Sequence, residues 1–160
     1  MKIGVYGGSF NPPHLGHVRA AQACKRALGL DCVLVIPASI PPHKQMASGS
    51  ATAMERLKLT QLAFSQLPGF EVLDMELRRE GKSYTVDTIR ALKAQYKQSD
   101  LYLMMGTDMF LSFQDWYRPE EIAKNARLVC FSRYDADAKN RESLLKQADA
   151  LEVRFGNRPV

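Results

Sequence analysis

"KIGVYGGSFNPPHLGHVRAAQACKRALGL", residues 2–30, opens on an apolar run, breaks into glycine, proline and histidine, and then resumes with apolar residues at helical spacing. The break, "GVYGGSFNPPHLGH" at 4–17, holds four glycines, two consecutive prolines and two histidines three residues apart. The almost continuous apolar character of "KIGVYG" predicts a strand buried on both faces. Val18, Ala21, Cys24 and Leu28 share one face of a helix that follows.

The same order recurs along the chain. "DCVLVIP" (31–37), "DLYLMMG" (100–106) and "RLVCFSR" (127–133) read as strands of the same buried kind, with "FEVLDME" (70–76) and "LEVRF" (151–155) as weaker strand candidates. Met54, Leu57, Leu59, Leu62 and Ala63 give a broad apolar helix face, and Val86, Ile89, Leu92 and Tyr96 mark a third helix. Strands alternating with helices imply right-handed crossovers, hence an α/β fold built on a doubly wound parallel sheet. At 160 residues the chain is expected to form a single domain, 1–160.

Composition narrows the partners. The formal net charge is +5, which favours an anionic ligand. The Lys and Arg are scattered rather than blocked, so no nucleic-acid tail is expected. Cys24, Cys32 and Cys130 form no C-x-x-C pair, so neither a disulfide framework nor a zinc site is expected, and free thiols suit the cytoplasm. No apolar run reaches transmembrane length, and no membrane partner is expected.

Each unusual cluster falls just past the C-terminal end of a strand: "GSFNPPHLGH", "ASIPPHK", "EGKSYTVDT" and "GTDMF". In open α/β sheets that edge binds ligands, so the placement points to a composite nucleotide or phosphate site. The first cluster is neither the dinucleotide fingerprint nor a P-loop. Gly7 and Gly8 are expected to turn the backbone and admit a ligand, while Pro12 and Pro13 stiffen the loop. His14 and His17 face the same way around a helix start, where free N–H groups attract phosphate; the alternative is a loop with a capping histidine. Lys44 is either a phosphate contact or an exposed loop lysine. Ser83 or Thr85 either caps the third helix or leaves its first turn to an anion. Asp108 suits a ribose hydroxyl or an N-cap, and Trp116 beside Tyr117 suits stacking on a flat ring or core packing. The loop-like stretch "ASIPPHKQMASGSAT", 38–52, is expected to be mobile.

"GGSFNPPHLGH", "IPASIPPHK", "ELRREGKSYTVDT" and "GTDMFLSFQDWYRPEEI", in this order, resemble the bacterial nicotinate mononucleotide adenylyltransferases of the H-x-G-H nucleotidyltransferase superfamily. The resemblance runs from residue 1 to about 133 and implies a Rossmann-like nucleotidyltransferase fold. It implies that ATP and nicotinate mononucleotide give deamido-NAD and pyrophosphate, in NAD biosynthesis, with Mg²⁺ carried on ATP and no resident metal. By that resemblance His14, His17 and Lys44 act on the ATP phosphates, and Gly7, Gly8, Ser9 and Phe10 shape the same pocket. Ser83, Tyr84, Thr85, Gly106, Asp108, Trp116 and Tyr117 would serve the mononucleotide. Backbone N–H groups of Thr85 and Tyr117 would meet its carboxylate, and Trp116 would stack on the pyridine ring. Members also carry an I-S-S/T-T-x-I-R element whose Ser, Thr and Arg hold the triphosphate; "LEVRFGNRPV" stands about where it would begin, so the domain is expected to lack it. The rivals are pantetheine-phosphate adenylyltransferase, against which SYT-x-DT and the Trp116–Tyr117 pair argue, and a non-catalytic nucleotide-binding protein. Homo-oligomerisation is left open.

Overall fold

Strand β1 (Lys2–Gly8) lies at the centre of a five-stranded, all-parallel sheet, and the chain winds outward from it in both directions. The computed structural model describes residues 1–43, 45–132 and 138–160, with backbone alone at 138–140. From β1 the chain passes through α1 (Leu15–Leu28) to β2 (Cys32–Pro37), then through α2 (Ala53–Phe64) to β3 (Phe70–Val72) at one edge. It returns by α3 (Thr85–Gln95) to β4 (Asp100–Gly106) on the other side of β1. There α4 (Thr107–Leu111), a 3₁₀ turn at Phe113–Asp115 and α5 (Pro119–Asn125) lead to β5 (Arg127–Phe131) and α6 (Ala138–Phe155). The strand order is β3-β2-β1-β4-β5, the doubly wound sheet that the alternating pattern implies. Val160 then returns to the open edge of β5, where its N–H donates to the Leu128 carbonyl and its own carbonyl accepts from Cys130 N–H, both at 2.9 Å.

Successive strand residues point to opposite faces, and both faces are covered. On one, Ile3, Val5, Leu34, Ile36, Leu101, Leu103 and Leu128 pack with Val86, Ile89 and Leu92 of α3, Ile122 of α5 and Leu151 of α6. On the other, Tyr6, Val33, Val35, Tyr102, Met104 and Val129 pack with Ala21 and Cys24 of α1 and Phe64. The faces expected for α1 and α3 are therefore the buried ones.

Three expectations need correction. In α2 the buried residues are Arg56, Leu57, Thr60 and Phe64, whereas Met54, Leu59 and Leu62 are exposed. Two polar residues on the inner face invert the apolar pattern. Only Phe70–Val72 of "FEVLDME" is strand. "LEVRF" is helical, the end of α6. Leu144, Ala148, Leu151 and Phe155 meet the core at helical steps, and Val153, whose alternation suggests a strand, is 89 % exposed.

Gly4 faces the α1 side of β1, where an added Cβ would stand 2.9 Å from Leu30 Cδ1, 3.0 Å from Met104 Sδ and 3.1 Å from Val33 Cγ2. The site has no room for a branched side chain. Gly4→Val is expected to lower stability by about 1–3 kcal/mol through overpacking. Urea unfolding with an unchanged slope measures this, and wild-type stability would contradict the packing.

Candidate functional site

The sheet reverses its winding between β1 and β4, and their carboxyl ends open the crevice where such folds bind ligands. Gly7 and Gly8 do not make the turn above β1, because they are its last two residues. The turn falls at Phe10, with φ 44°, just before a cis Asn11–Pro12 peptide. Gly8 serves that turn by lacking a Cβ, which would lie 3.2 Å from the folded-back Phe10 ring. Phe10 is buried among Tyr6, His17 and Phe64, with ring centroids at 5.4, 5.1 and 6.4 Å. A fully packed aromatic side chain thus pins an otherwise polar loop.

His14 is the N-cap of α1, with extended backbone. Its Nδ1 accepts from Gly16 N–H at 3.1 Å, and His17 Nδ1 accepts from His14 N–H, also at 3.1 Å. This is a reciprocal capping box made from two imidazoles. It assigns the tautomer of each neutral ring: an Nδ1 that accepts leaves the proton on Nε2, a donor. The rings are stacked 3.8 Å apart; His14 is exposed and His17 buried. Gly16 is required here, since a Cβ would meet His14 Cε1 at 2.8 Å. Of the two expectations for this pair, the structure shows the capping.

The loop after β2 is joined to the start of α3. Ser39 N–H donates to Ser83 Oγ at 3.0 Å and Ser83 N–H donates to the Ile40 carbonyl at 2.9 Å. Ser83 therefore does not cap α3. Its N-cap is Tyr84, with no side-chain cap bond, and Thr85 is the first helical residue. The first turn of α3 thus keeps its N–H groups uncapped by any side chain, as an anion site requires. Tyr84 and exposed Tyr117 stack at 4.7 Å beside it. Trp116 is buried in the core against Phe113 at 5.3 Å, with His43 at 5.1 Å as its other ring neighbour. Its indole N–H has no partner among the described residues. Partial burial, then Lys82, pushes the His43 pKa below the usual imidazole range. Lys44 lies outside the described residues.

Gly106, rather than Asp108, is the N-cap of α4. Asp108 is exposed in the first turn of that helix, at the end of β4. Among the described residues no group of three or more His, Cys, Asp or Glu is placed to hold a metal ion, and no helix is long and apolar enough to cross a membrane. Mg²⁺ bound to phosphates needs only one or two carboxylates, and Asp108 is one at the crevice edge. Cys24, Cys32 and Cys130 are all free, and burial pushes the Cys130 thiol up to about 11. A thiolate nucleophile is not offered there.

Two buried charged residues carry no signal in the sequence pattern. Arg56 in α2 is 2 % exposed and Glu76 is 5 % exposed. Glu76 accepts from Thr88 Oγ1 at 2.5 Å and lies 3.5 Å from Arg79 Nη2, and it also interacts with Ser83. Burial raises its pKa to about 7, outweighing the opposing pull of Thr88, Arg79 and Ser83.

A profile of the cytidylyltransferase-like family matches residues 5–150. The chain belongs to that family. A probable nicotinate-nucleotide adenylyltransferase from Salinibacter ruber is 38 % identical over all of this chain and 80 % of its own length. One from Geobacter sulfurreducens is 44 % identical over 86 % of this chain, and one from Shewanella baltica 43 % over 83 %. The matched stretch is 63 % and 61 % of those two relatives' lengths. Nicotinic acid mononucleotide adenylyltransferase from Plasmodium falciparum, solved in complex with NaAD, has the same fold, with TM-score 0.73 over 91 % of this chain and 70 % of its own at 17 % identity.

Glu76 predicts a pH effect on stability. The unfolded chain releases this proton near 4.5 and the folded protein near 7, so folding takes up a proton between them. The stabilisation by neutral Glu76 is complete below about 4.5 and is lost as pH rises through about 7. Glu76→Gln stays neutral throughout. Its stability relative to wild type is expected to improve by about 2–3 kcal/mol between roughly pH 5 and pH 8. A pH-independent difference in urea unfolding would contradict the assignment.

Proposed function

We propose that this chain is a nicotinate-nucleotide adenylyltransferase, which joins the adenylyl group of ATP to nicotinate mononucleotide and releases pyrophosphate in NAD biosynthesis. The observation that carries this is the paired imidazole cap, which holds His14 and His17 at a helix N-terminus beside the switch point of the sheet. The names of relatives at 38–44 % identity supply the substrate. The uncapped start of α3, with Tyr84 and Tyr117 stacked beside it, suits the carboxylate end of a nicotinate.

The chemistry needs no nucleophilic side chain. A phosphate oxygen of the mononucleotide attacks the α-phosphorus of ATP, a new P–O bond forms, and the bond to the β-phosphate breaks as pyrophosphate leaves with the electron pair. The attacking phosphate has a second pKa near 6 and is mostly ionised at neutral pH. The obstacle is repulsion between two anions, which positioned donors and cations offset. His14 and His17 donate to the ATP phosphates, and Gly8, Ser9 and Phe10 shape the surface that receives them. Lys44 adds a point charge. Thr85 and Tyr117 present N–H groups to the nicotinate carboxylate, and Gly106 and Asp108 border the nucleotide. Mg²⁺ on the triphosphate supplies charge neutralisation.

His17→Ala is expected to lose about 10²–10³ in kcat while folding. Because alanine also removes an N-terminal cap, worth about 1 kcal/mol, His17→Gln is the companion variant. Glutamine at the third helical position keeps the cap acceptor without the imidazole. Pyrophosphate release by both variants measures the effect, and turnover near wild type in either would remove His17 from the reaction.

Nicotinate mononucleotide is expected to exceed its nicotinamide counterpart in kcat/KM by about 10- to 10³-fold. Backbone N–H groups are all donors, and a carboxylate accepts from each. A carboxamide sets its own NH₂ against a donor, leaving polar groups unpaired at about 1–3 kcal/mol each. A ratio near one under saturating Mg-ATP would move the carboxylate pocket elsewhere.

A further inference from the structure

Arg56 sits on the inner face of α2, beneath the loops that follow β1 and β2. Its Nη1 donates to the Ser9 carbonyl at 2.6 Å and its Nη2 donates to the Ser39 carbonyl at 3.0 Å. Its Nε is buried with no partner among the described residues. Among the described ion pairs none includes Arg56, and burial pushes its pKa below the ordinary guanidinium value. A buried cation held only by neutral carbonyls is a costly way to fill space. An aliphatic side chain at this position would pack without that penalty.

The two acceptors explain the choice. Ser9 belongs to the loop between β1 and α1, and Ser39 to the loop after β2. The strands are paired in parallel, with Gly8 opposite Pro37, so the two loops leave the sheet side by side. A planar guanidinium fork fixes two carbonyls at a set separation, which a single ammonium cannot do. Peptide planarity adds a consequence: a trans peptide points its C=O and its N–H in opposite directions. Capturing the Ser9 and Ser39 carbonyls from below therefore turns the N–H groups of Phe10 and Ile40 away from Arg56. No hydrogen bond from either N–H is made to the described residues. Ser39 is joined in turn to Ser83, and Ser83 to Glu76, so the clamp continues to the start of α3.

We propose that Arg56 is a positioning residue for adenylyl transfer: its fork sets the spacing of the two loops and aims the Phe10 and Ile40 N–H groups at the phosphates. The inference rests on the adenylyltransferase reading above.

Arg56→Lys keeps the charge but reaches one carbonyl, and Arg56→Met keeps the bulk without donors. Misplacement of a site by about 1 Å costs about 10²-fold in rate. We expect kcat per folded molecule to fall about 10²-fold in Arg56→Met and about 10-fold in Arg56→Lys, with each KM changed less than about threefold. Amide exchange at residues 9–10 and 39–40 is expected to quicken in both variants while β1 and β4 stay protected. A purely structural arginine would instead loosen the sheet as a whole and leave kcat per folded molecule unchanged. A folded Arg56→Lys with kcat within about twofold of wild type, or with unchanged exchange at Phe10 and Ile40, overturns the proposal. Should both variants fail to fold, the wild type decides it. Its Phe10 and Ile40 amides should gain protection with Mg²⁺ and β,γ-methylene-ATP, and equal protection overturns the inference. A wild type that gains this protection but never turns over nicotinate mononucleotide would fail the substrate assignment alone.

Discussion

An α-helix begins with N–H groups that have no partner, and α1 meets that need with imidazoles where hydroxyls or carboxylates are usual. An imidazole cap satisfies the same donors without a carboxylate's negative charge. Each ring accepts a backbone N–H at its Nδ1. The spacing of His14 and His17 is thus fixed by the cap. Gly16 follows from it too, because the His14 ring occupies the space a side chain would need.

The polar residues buried beneath this edge of the sheet follow a related logic. Arg56 reaches the Ser9 and Ser39 carbonyls, Ser39 N–H reaches Ser83, and Ser83 and Thr88 meet Glu76. These bonds run under three loops that are far apart in sequence. Apolar packing holds a sheet together but is non-directional and does not fix how a peptide plane is turned. Hydrogen bonds in a buried network do, at the cost of desolvating a guanidinium and a carboxyl. Here those bonds tie the loops that follow β1 and β2 to the start of α3.

The strands of the central sheet were legible in the sequence because burial on both faces leaves an uninterrupted apolar run, as in "DCVLVIP" and "DLYLMMG". The loops after β1 and β2 stood out because proline and histidine cluster there. The inner face of α2 was not, since Arg56 and Thr60 occupy positions that periodicity assigns to apolar residues. "LEVRF" misled for a different reason. Over five residues an alternating pattern and a helical stripe share members, and only the longer spacing from Leu144 to Phe155 separates them. Gly7 and Gly8 show a third limit: glycine reports missing side-chain bulk as well as a turn, and here the turn falls at Phe10.

Trp116 illustrates how packing and recognition compete for one side chain. Stacking on a ligand ring and membership of the core are alternatives only if they use the same face. Phe113 takes one neighbourhood of the indole, and His43, from the loop after β2, takes another. The same loop carries Ser39, which Arg56 and Ser83 hold at its base. Its root is thus fixed by directional bonds while His43 leans on an aromatic face. A ligand ring that competes for that face would exchange one flat partner for another, with little apolar area newly exposed. Exchange of this kind is reversible at low cost because stacking is tolerant of the partner's identity, whereas the bonds at the loop's root are not.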